Sequence, residues 1–240
     1  MIEIRKPDEI YQVKGEIENG TFQGRWHFSF DRYRDERFMH FGTMRVFNDD
    51  TLSPGAIWPL HSHRNIEVVT YCAHGEFRHA DQNGKDGILK KGWVQHTTVG
   101  RGMQHSEINN RQDIPMRFIQ MWFFPVRTDL EPSVEQKPVE LSERTNRILP
   151  LVAEDEPGTL PIHSPARVSS CFLQGEWSVQ HQVRNNWGTY FYVVDGGPVL
   201  INGKPVLPFG AAKCIADERL IIKAKADAEL LFVDVQLGKE

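Results

Sequence analysis

The stretch Gly55-Ala56-Ile57-Trp58-Pro59-Leu60-His61-Ser62-His63-Arg64-Asn65-Ile66-Glu67 carries the strongest chemical signal in the chain. In an extended strand, residues i and i+2 face the same side. His61 and His63 therefore present both imidazoles to one side, close enough to share a metal. Glu67 has the same parity and joins them if the strand runs on. A second pair follows in Gly100-Arg101-Gly102-Met103-Gln104-His105-Ser106-Glu107. His105 and Glu107 repeat the spacing with a third imidazole and a carboxylate. Two such pairs on facing strands make a site of three histidines and one carboxylate. These donors suit Fe, Mn, Ni, Cu, Co or Zn, and not Ca or Mg. A lone His-x-His is common by chance, and the second pair is what lifts this pattern above it. His27, His40, His74, His79, His96, His163 and His181 have no such pairing. They read as structural or surface histidines, although His40 and His96 could sit near a pocket.

Outward from this stretch the chain reads as all-β. Runs with alternating, β-branched or aromatic character recur at 43–47, 67–72, 75–80, 93–98 and 117–124. After a gap they resume at 167–172, 177–183, 189–195, 199–202, 211–215, 220–223 and 229–235. Asn48-Asp49, Asn83-Gly84, Gly196-Gly197 and Asn202-Gly203 read as turns between them. Many short strands with regular turns suggest a sandwich or barrel. Helical signals are few, and 139–147 is the best candidate. Between Pro125 and Pro165 lie seven prolines and few alternating runs. Proline lacks the ladder donor, so this segment reads as a linker between two β units. Glycine and Asn-Gly punctuation recurs faintly in both halves, as a duplicated module would show.

The length of 240 residues suits one large domain or two small ones. Hydrophobic residues at 40% and charged residues at 25% are ordinary for a globular chain. The 19 glycines, 14 prolines, 14 phenylalanines and 6 tryptophans lean the same way as the strand pattern. A formal net charge of −4 and the absence of a Lys/Arg block argue against direct nucleic-acid binding. Cys72, Cys171 and Cys214 are odd in number and far apart, which fits a reducing compartment better than a disulfide framework. No long apolar stretch opens the chain, and the run 118–126 is too short and broken to span a bilayer. A soluble, cytoplasmic protein without membrane contact is expected, and closed barrels would leave it few edges for self-association.

The same residues carry a family resemblance. Gly55, five residues, His61-Ser62-His63, three residues and Glu67 fit the cupin pattern. A fuller set resembles the pirin family, a branch of the cupins: His27-Phe-Ser-Phe-Asp31, His40 through Asp50, His61 through Tyr71, His79-Ala-Asp81 and Gly100 through Glu107. The match is dense from about residue 25 to 125. The C-terminal half resembles the second cupin of short bacterial pirin-like proteins through Ile201-Asn-Gly-Lys204 and Ala228 through Asp234. The resemblance implies a bicupin of two jelly-roll-like β-barrels joined by a proline-rich linker. The expected division is an N-terminal cupin over 1–128, a linker over 129–165 and a C-terminal cupin over 166–240. It implies one metal in the first barrel, Fe(II) in most of the family, held by His61, His63, His105 and Glu107. The general cupin pattern places the carboxylate at Glu67 and the pirin pattern at Glu107; we prefer Glu107, two residues from His105. Ser62 replaces the usual proline and Asn65 the usual glycine, beside the ligands but not among them. The second half has no His-x-His, so its His181 is not expected to bind metal.

Pirin-like proteins of this type are associated with quercetin 2,3-dioxygenase activity. The implied reaction opens a flavonol ring with dioxygen and releases carbon monoxide, with Glu107 accepting the proton of the 3-hydroxyl. Trp26, Phe28, Phe30, Phe41 and Trp58 could line a pocket for such a planar substrate or could simply be core. Two other readings stay open. One is a metal- or redox-sensing pirin that binds a transcription regulator, and the other is a cupin acting on another small metabolite.

Overall fold

The computed structural model describes residues 1–82, 84–215 and 219–238; Asn83, read above as half of an Asn-Gly turn, lies outside them. In the first half the strands are β1 (Ile2–Arg5), β2 (Tyr11–Ile17), β3 (Gly20–Trp26), β4 (Met44–Leu52), β5 (Ile57–His63) and β6 (Glu67–His74). They continue as β7 (Glu76–Asp81), β8 (Asp86–Lys90), β9 (Val94–Thr98), β10 (Met103–Asn109), β11 (Met116–Phe123) and β12 (Ser133–Lys137). The second half holds β13 (Leu149–Ala153), β14 (Ala166–Leu173), β15 (Ser178–Gln182), β16 (Trp187–Gly196) and β17 (Val199–Ile201). It ends with β18 (Lys204–Val206), β19 (Ala211–Ile215), β20 (Arg219–Ala224) and β21 (Ala228–Gln236). The helix expected over 139–147 is a single turn, α1 (Leu141–Arg144), which gives way to extended backbone at Thr145.

Among the described residues the strands form four sheets. A seven-stranded sheet, β12-β9-β6-β11-β4-β3-β2, faces a four-stranded one, β5-β10-β7-β8. A six-stranded sheet, β1-β19-β16-β21-β14-β13, faces another four-stranded one, β15-β20-β17-β18. Two cupins are present as expected, and they are jelly-roll pairs of open sheets, not closed barrels. The proline-rich segment supplies β12 to one large sheet and β13 to the other, both as edge strands, where proline-flanked strands are tolerated. The first strand of the chain crosses over and pairs with β19 in the sheet of the second half.

The two large sheets pack against each other, and this explains how β11 reads. Met-Arg-Phe-Ile-Gln-Met-Trp-Phe is an almost unbroken buried run because both faces of its sheet are covered. Ile119, Met121 and Phe123 enter a core shared with Tyr190, Tyr192, Leu231 and Val233 of the six-stranded sheet. Phe118 and Met116 point the other way, into the first cupin, with Leu52, Cys72, Phe77 and Leu89. A separate core of Phe191, Val193, Leu220, Ile222 and Phe232 fills the second cupin. The same alternation sends Gln120 and Trp122 toward the His61–His63 strand. No helix among the described residues is long and apolar enough to cross a membrane.

Candidate metal centre

β5 and β10 are antiparallel neighbours, with His61 directly opposite His105. The register slips between His105 and Glu107, which pairs with Trp58. The extra residue sits on β5 around Pro59, an edge-strand position where a proline and a bulge are both tolerated. The bulge lets Trp58, three residues before His61, turn to the same interior. The ring nitrogens of His61, His63 and His105 lie within 4.8 Å of one another. Glu107 lies beside this group: its Oε2 stands 3.7 Å from the Nε2 of His61 and its Oε1 3.7 Å from that of His105.

The hydrogen bonding leaves these nitrogens free for a cation. His61 Nδ1 lies 2.8 Å from the Pro59 carbonyl, so an N–H there fixes the tautomer that leaves the Nε2 lone pair facing Glu107. His63 Nε2 and both ring nitrogens of His105 are buried without a partner. Buried polar atoms without partners are costly and call for a ligand. Burial, together with the neighbouring His61 and His105, pushes the His63 imidazole down to about 4, so it is neutral at physiological pH. Burial likewise lowers His105. For Glu107 burial acts upward, but the His105 and His61 rings and the Gln120 amide outweigh it and hold the carboxyl below its usual range. Burial that disfavours the charged forms of His63 and His105, beside a carboxyl held low, favours the donor state a transition metal requires. The residues present therefore fit a divalent ion.

A cavity of about 320 Å³ opens on this group. Its wall carries His61, His63 and Glu107 with the aromatic rings of Trp26, Phe30, Trp58, Phe118 and Trp122. Phe30 stands edge-on between Trp26 and Trp122, each ring centre 5.2 Å away. Trp122 also packs on His63 at 4.5 Å. Its indole N–H donates to Gln120 Oε1 at 2.9 Å, and the Gln120 amide donates to Glu107 Oε1 at 2.8 Å. Of the five aromatic residues considered from the sequence, Trp26, Phe30 and Trp58 line the cavity. Phe28 and Phe41 do not; they belong to the core between the two large sheets. Sequence reasoning missed Gln120, Trp122, Phe118, Asn48 and Asp50. The one available signal was a lone glutamine inside an apolar strand.

Glu67 is elsewhere. It shares odd numbering with His61 and His63, but the chain changes sheets between residue 63 and residue 67, so parity does not carry across. On β6 it faces the inter-sheet side with Val69 and Tyr71. There it accepts hydrogen bonds from His96 Nε2 at 2.9 Å, Thr98 Oγ1 at 3.1 Å and the His163 backbone N–H at 3.1 Å. The two departures from the pattern are also placed. Ser62 is exposed, and Asn65 adopts a φ of 54°, a left-handed conformation that asparagine tolerates better than most residues. His79 sits opposite Glu107 on β7, its ring 5.3 Å from that of His105. In the second cupin His181 Nε2 lies 2.8 Å from Asp234, whose Oδ1 also accepts from Thr189.

A pair of jelly rolls, with three histidines and a glutamate gathered inside the first, defines a bicupin. The comparisons place it within that class. Residues 10–123 match the family described as Pirin, and residues 151–235 match the one described as Quercetinase C-terminal cupin domain. The chain is 33% identical over 239 residues to a quercetin 2,3-dioxygenase of Escherichia coli O157:H7, covering 98% of this chain and 99% of that protein. It is 32% identical over 233 residues to a pirin-like protein of Caulobacter vibrioides, covering 96% and 98%. Among solved structures, the bacterial pirin YhhW from Escherichia coli in complex with nickel(II) superimposes with a TM-score of 0.90 at 26% identity, covering 99% of this chain and 100% of that one. This chain belongs to the pirin family.

Proposed function

We propose that this protein is a metal-dependent dioxygenase of the quercetin 2,3-dioxygenase type, opening a flavonol ring with dioxygen and releasing carbon monoxide. One observation carries the reading: three imidazoles and a carboxylate converge at an aromatic-lined cavity of about 320 Å³, within the range of small-molecule sites. The relatives named for this activity support it. His61, His63, His105 and Glu107 are the residues that would hold the metal. Fe(II) is our assignment, and Mn, Ni, Cu, Co and Zn suit the same donors. When bound, such an ion supplies Lewis acidity that lowers the pKa of a substrate hydroxyl and open positions for small ligands.

The chain's own groups do the rest. Trp26, Phe30, Trp58 and Phe118 hold a planar aromatic ring and keep water out. Glu107 takes the substrate's hydroxyl proton at Oε2, because Oε1 is engaged by Gln120. Trp122 fixes Gln120, and so fixes the carboxylate plane. In this reading the chemistry belongs to the first cupin, expected over 1–128, and the second, expected over 166–240, is support; β1 from the start of the chain pairs into the second, and the 129–165 joint lends β12 to the first and β13 to the second. Metal-loaded protein under air tests it: quercetin is consumed, one carbon monoxide appears per flavonol, and His105→Ala falls to background. Loaded protein that neither consumes quercetin nor releases carbon monoxide overturns the reading.

A further inference from the structure

The cavity wall across from the histidines carries two buried polar side chains that have no task so far. Asn48 and Asp50 stand two residues apart on β4 and so share the face directed into the first cupin. They are 4% and 5% exposed, and both line the cavity with His61, His63 and Glu107. Asn48 Oδ1 is buried with no hydrogen-bond partner. Asp50 Oδ1 accepts from the Trp26 indole N–H at 3.1 Å. The opposite residue on β3 is Gly24, and a Cβ there would lie 2.0 Å from Asp50 Oδ1 and 3.1 Å from Val13. Only a glycine lets this carboxyl lie across the neighbouring strand toward Trp26. Two buried polar groups with incomplete partners in an otherwise aromatic wall are costly as scaffold and useful as a recognition element.

We propose that Asp50 is a substrate contact: it hydrogen-bonds an oxygen function of the aromatic substrate on the β4 side of the cavity, while Asn48 Oδ1 accepts a hydrogen bond from the same part of the ligand. This deepens the flavonol reading above and rests on it for the identity of the ligand. It selects planar aromatics that carry an oxygen function on that side of the cavity. The surroundings favour the protonated, hydrogen-bond-donating form of Asp50. Burial dominates and pushes it up to about 8 against the pull of the Trp26 bond, with Asp49 on its own strand and Glu107 across the cavity adding to the rise. Asp31 also lines the cavity, and the imidazoles of His61 and His63 are its other titratable neighbours.

The test is anaerobic quercetin binding by metal-loaded wild type, Asp50→Asn and Asp50→Leu, with thermal unfolding followed in parallel. Asparagine keeps the size and a donor, whereas leucine keeps only the bulk. At pH 7, Asp50→Asn binds within about threefold of wild type and Asp50→Leu is weaker by about tenfold, the loss of one buried hydrogen bond. Between pH 7 and 9 wild-type affinity falls relative to Asp50→Asn; the ligand's own ionisation is common to both. Equal affinity for wild type and Asp50→Leu, an Asp50→Asn as weak as Asp50→Leu, or parallel pH profiles would each overturn the proposal. Infrared spectra separate the two readings. A carboxylic-acid band at pH 7 that Asp50→Asn lacks is expected, and its absence defeats the Asp50 assignment whatever the ligand. Failure of wild type to bind quercetin defeats the flavonol reading.

Discussion

Glu67 and Glu107 differ by one geometric fact, which sheet each belongs to, and that fact separates their substitutions. Glu107→Gln removes the ionised oxygen beside His61 and His105, so metal retained after dialysis drops at least about tenfold and flavonol turnover goes with it. Glu67→Ala leaves metal content at the wild-type level. It strands the donors of His96, Thr98 and the His163 backbone, and it lowers unfolding free energy by about 3 kcal/mol in urea titration. Asp50 adds a pH signature. Its folded pKa is raised, so between roughly pH 4 and 8 the native state holds a proton the unfolded state has lost, and stability falls as pH rises through that window. The thermal midpoint of Asp50→Asn therefore gains on wild type from pH 4 to pH 8; a constant difference would contradict this. At this scale the histidine pairs were legible because the i, i+2 rule needs no tertiary knowledge. The surrounding wall was not. Asn48-Asp49 reads as a turn from composition, yet both residues lie inside β4, where Asp49 is paired by Arg117 and Asn48 faces the cavity. Polar residues break a strand pattern where a site or an interface uses them.

Among the elements, the strands with strong alternation are where the pattern places them, while β1, β2, β3, β8, β12, β13 and β18 escaped it. β2 and β3 carry Gly15 and Gly24 inside them, and β12 and β13 sit among prolines, so each looks like a turn or linker until a neighbouring sheet supplies its ladder. The Gly100 turn shows how an element boundary positions chemistry. Gly100 adopts a φ of 52°, its carbonyl accepts from Asn65, and a Cβ would lie 1.9 Å from the Leu130 carbonyl oxygen. This turn leads directly into β10 and the His105–Glu107 pair. Gly100→Val must distort both strand entries. We expect a loss of about 4 kcal/mol in the urea midpoint analysis, and metal retention falling with it.

For the whole molecule the decisive feature is the core between the two large sheets, which makes one body of two cupins. Arg117 reaches Asp49 with two hydrogen bonds of 2.7 and 2.6 Å, and Tyr192 from the six-stranded sheet donates to the same carboxylate at 2.5 Å. Nothing in the local pattern of either half announces this pairing, because it depends on which faces meet. Calorimetry should show a single unfolding transition for the full chain, and Arg117→Met should lower stability by about 3–5 kcal/mol by leaving Asp49 buried without its bidentate partner. Two separated transitions would show that the halves are independent. The proposed function places one metal in each chain, in the first cupin. Anomalous diffraction from metal-loaded crystals, at the absorption edge of the bound ion, measures this directly. We predict one strong peak per chain, bounded by the ring nitrogens of His61, His63 and His105 and the carboxylate of Glu107. No peak there, or a principal peak beside His181 and Asp234 in the second cupin, would contradict the account.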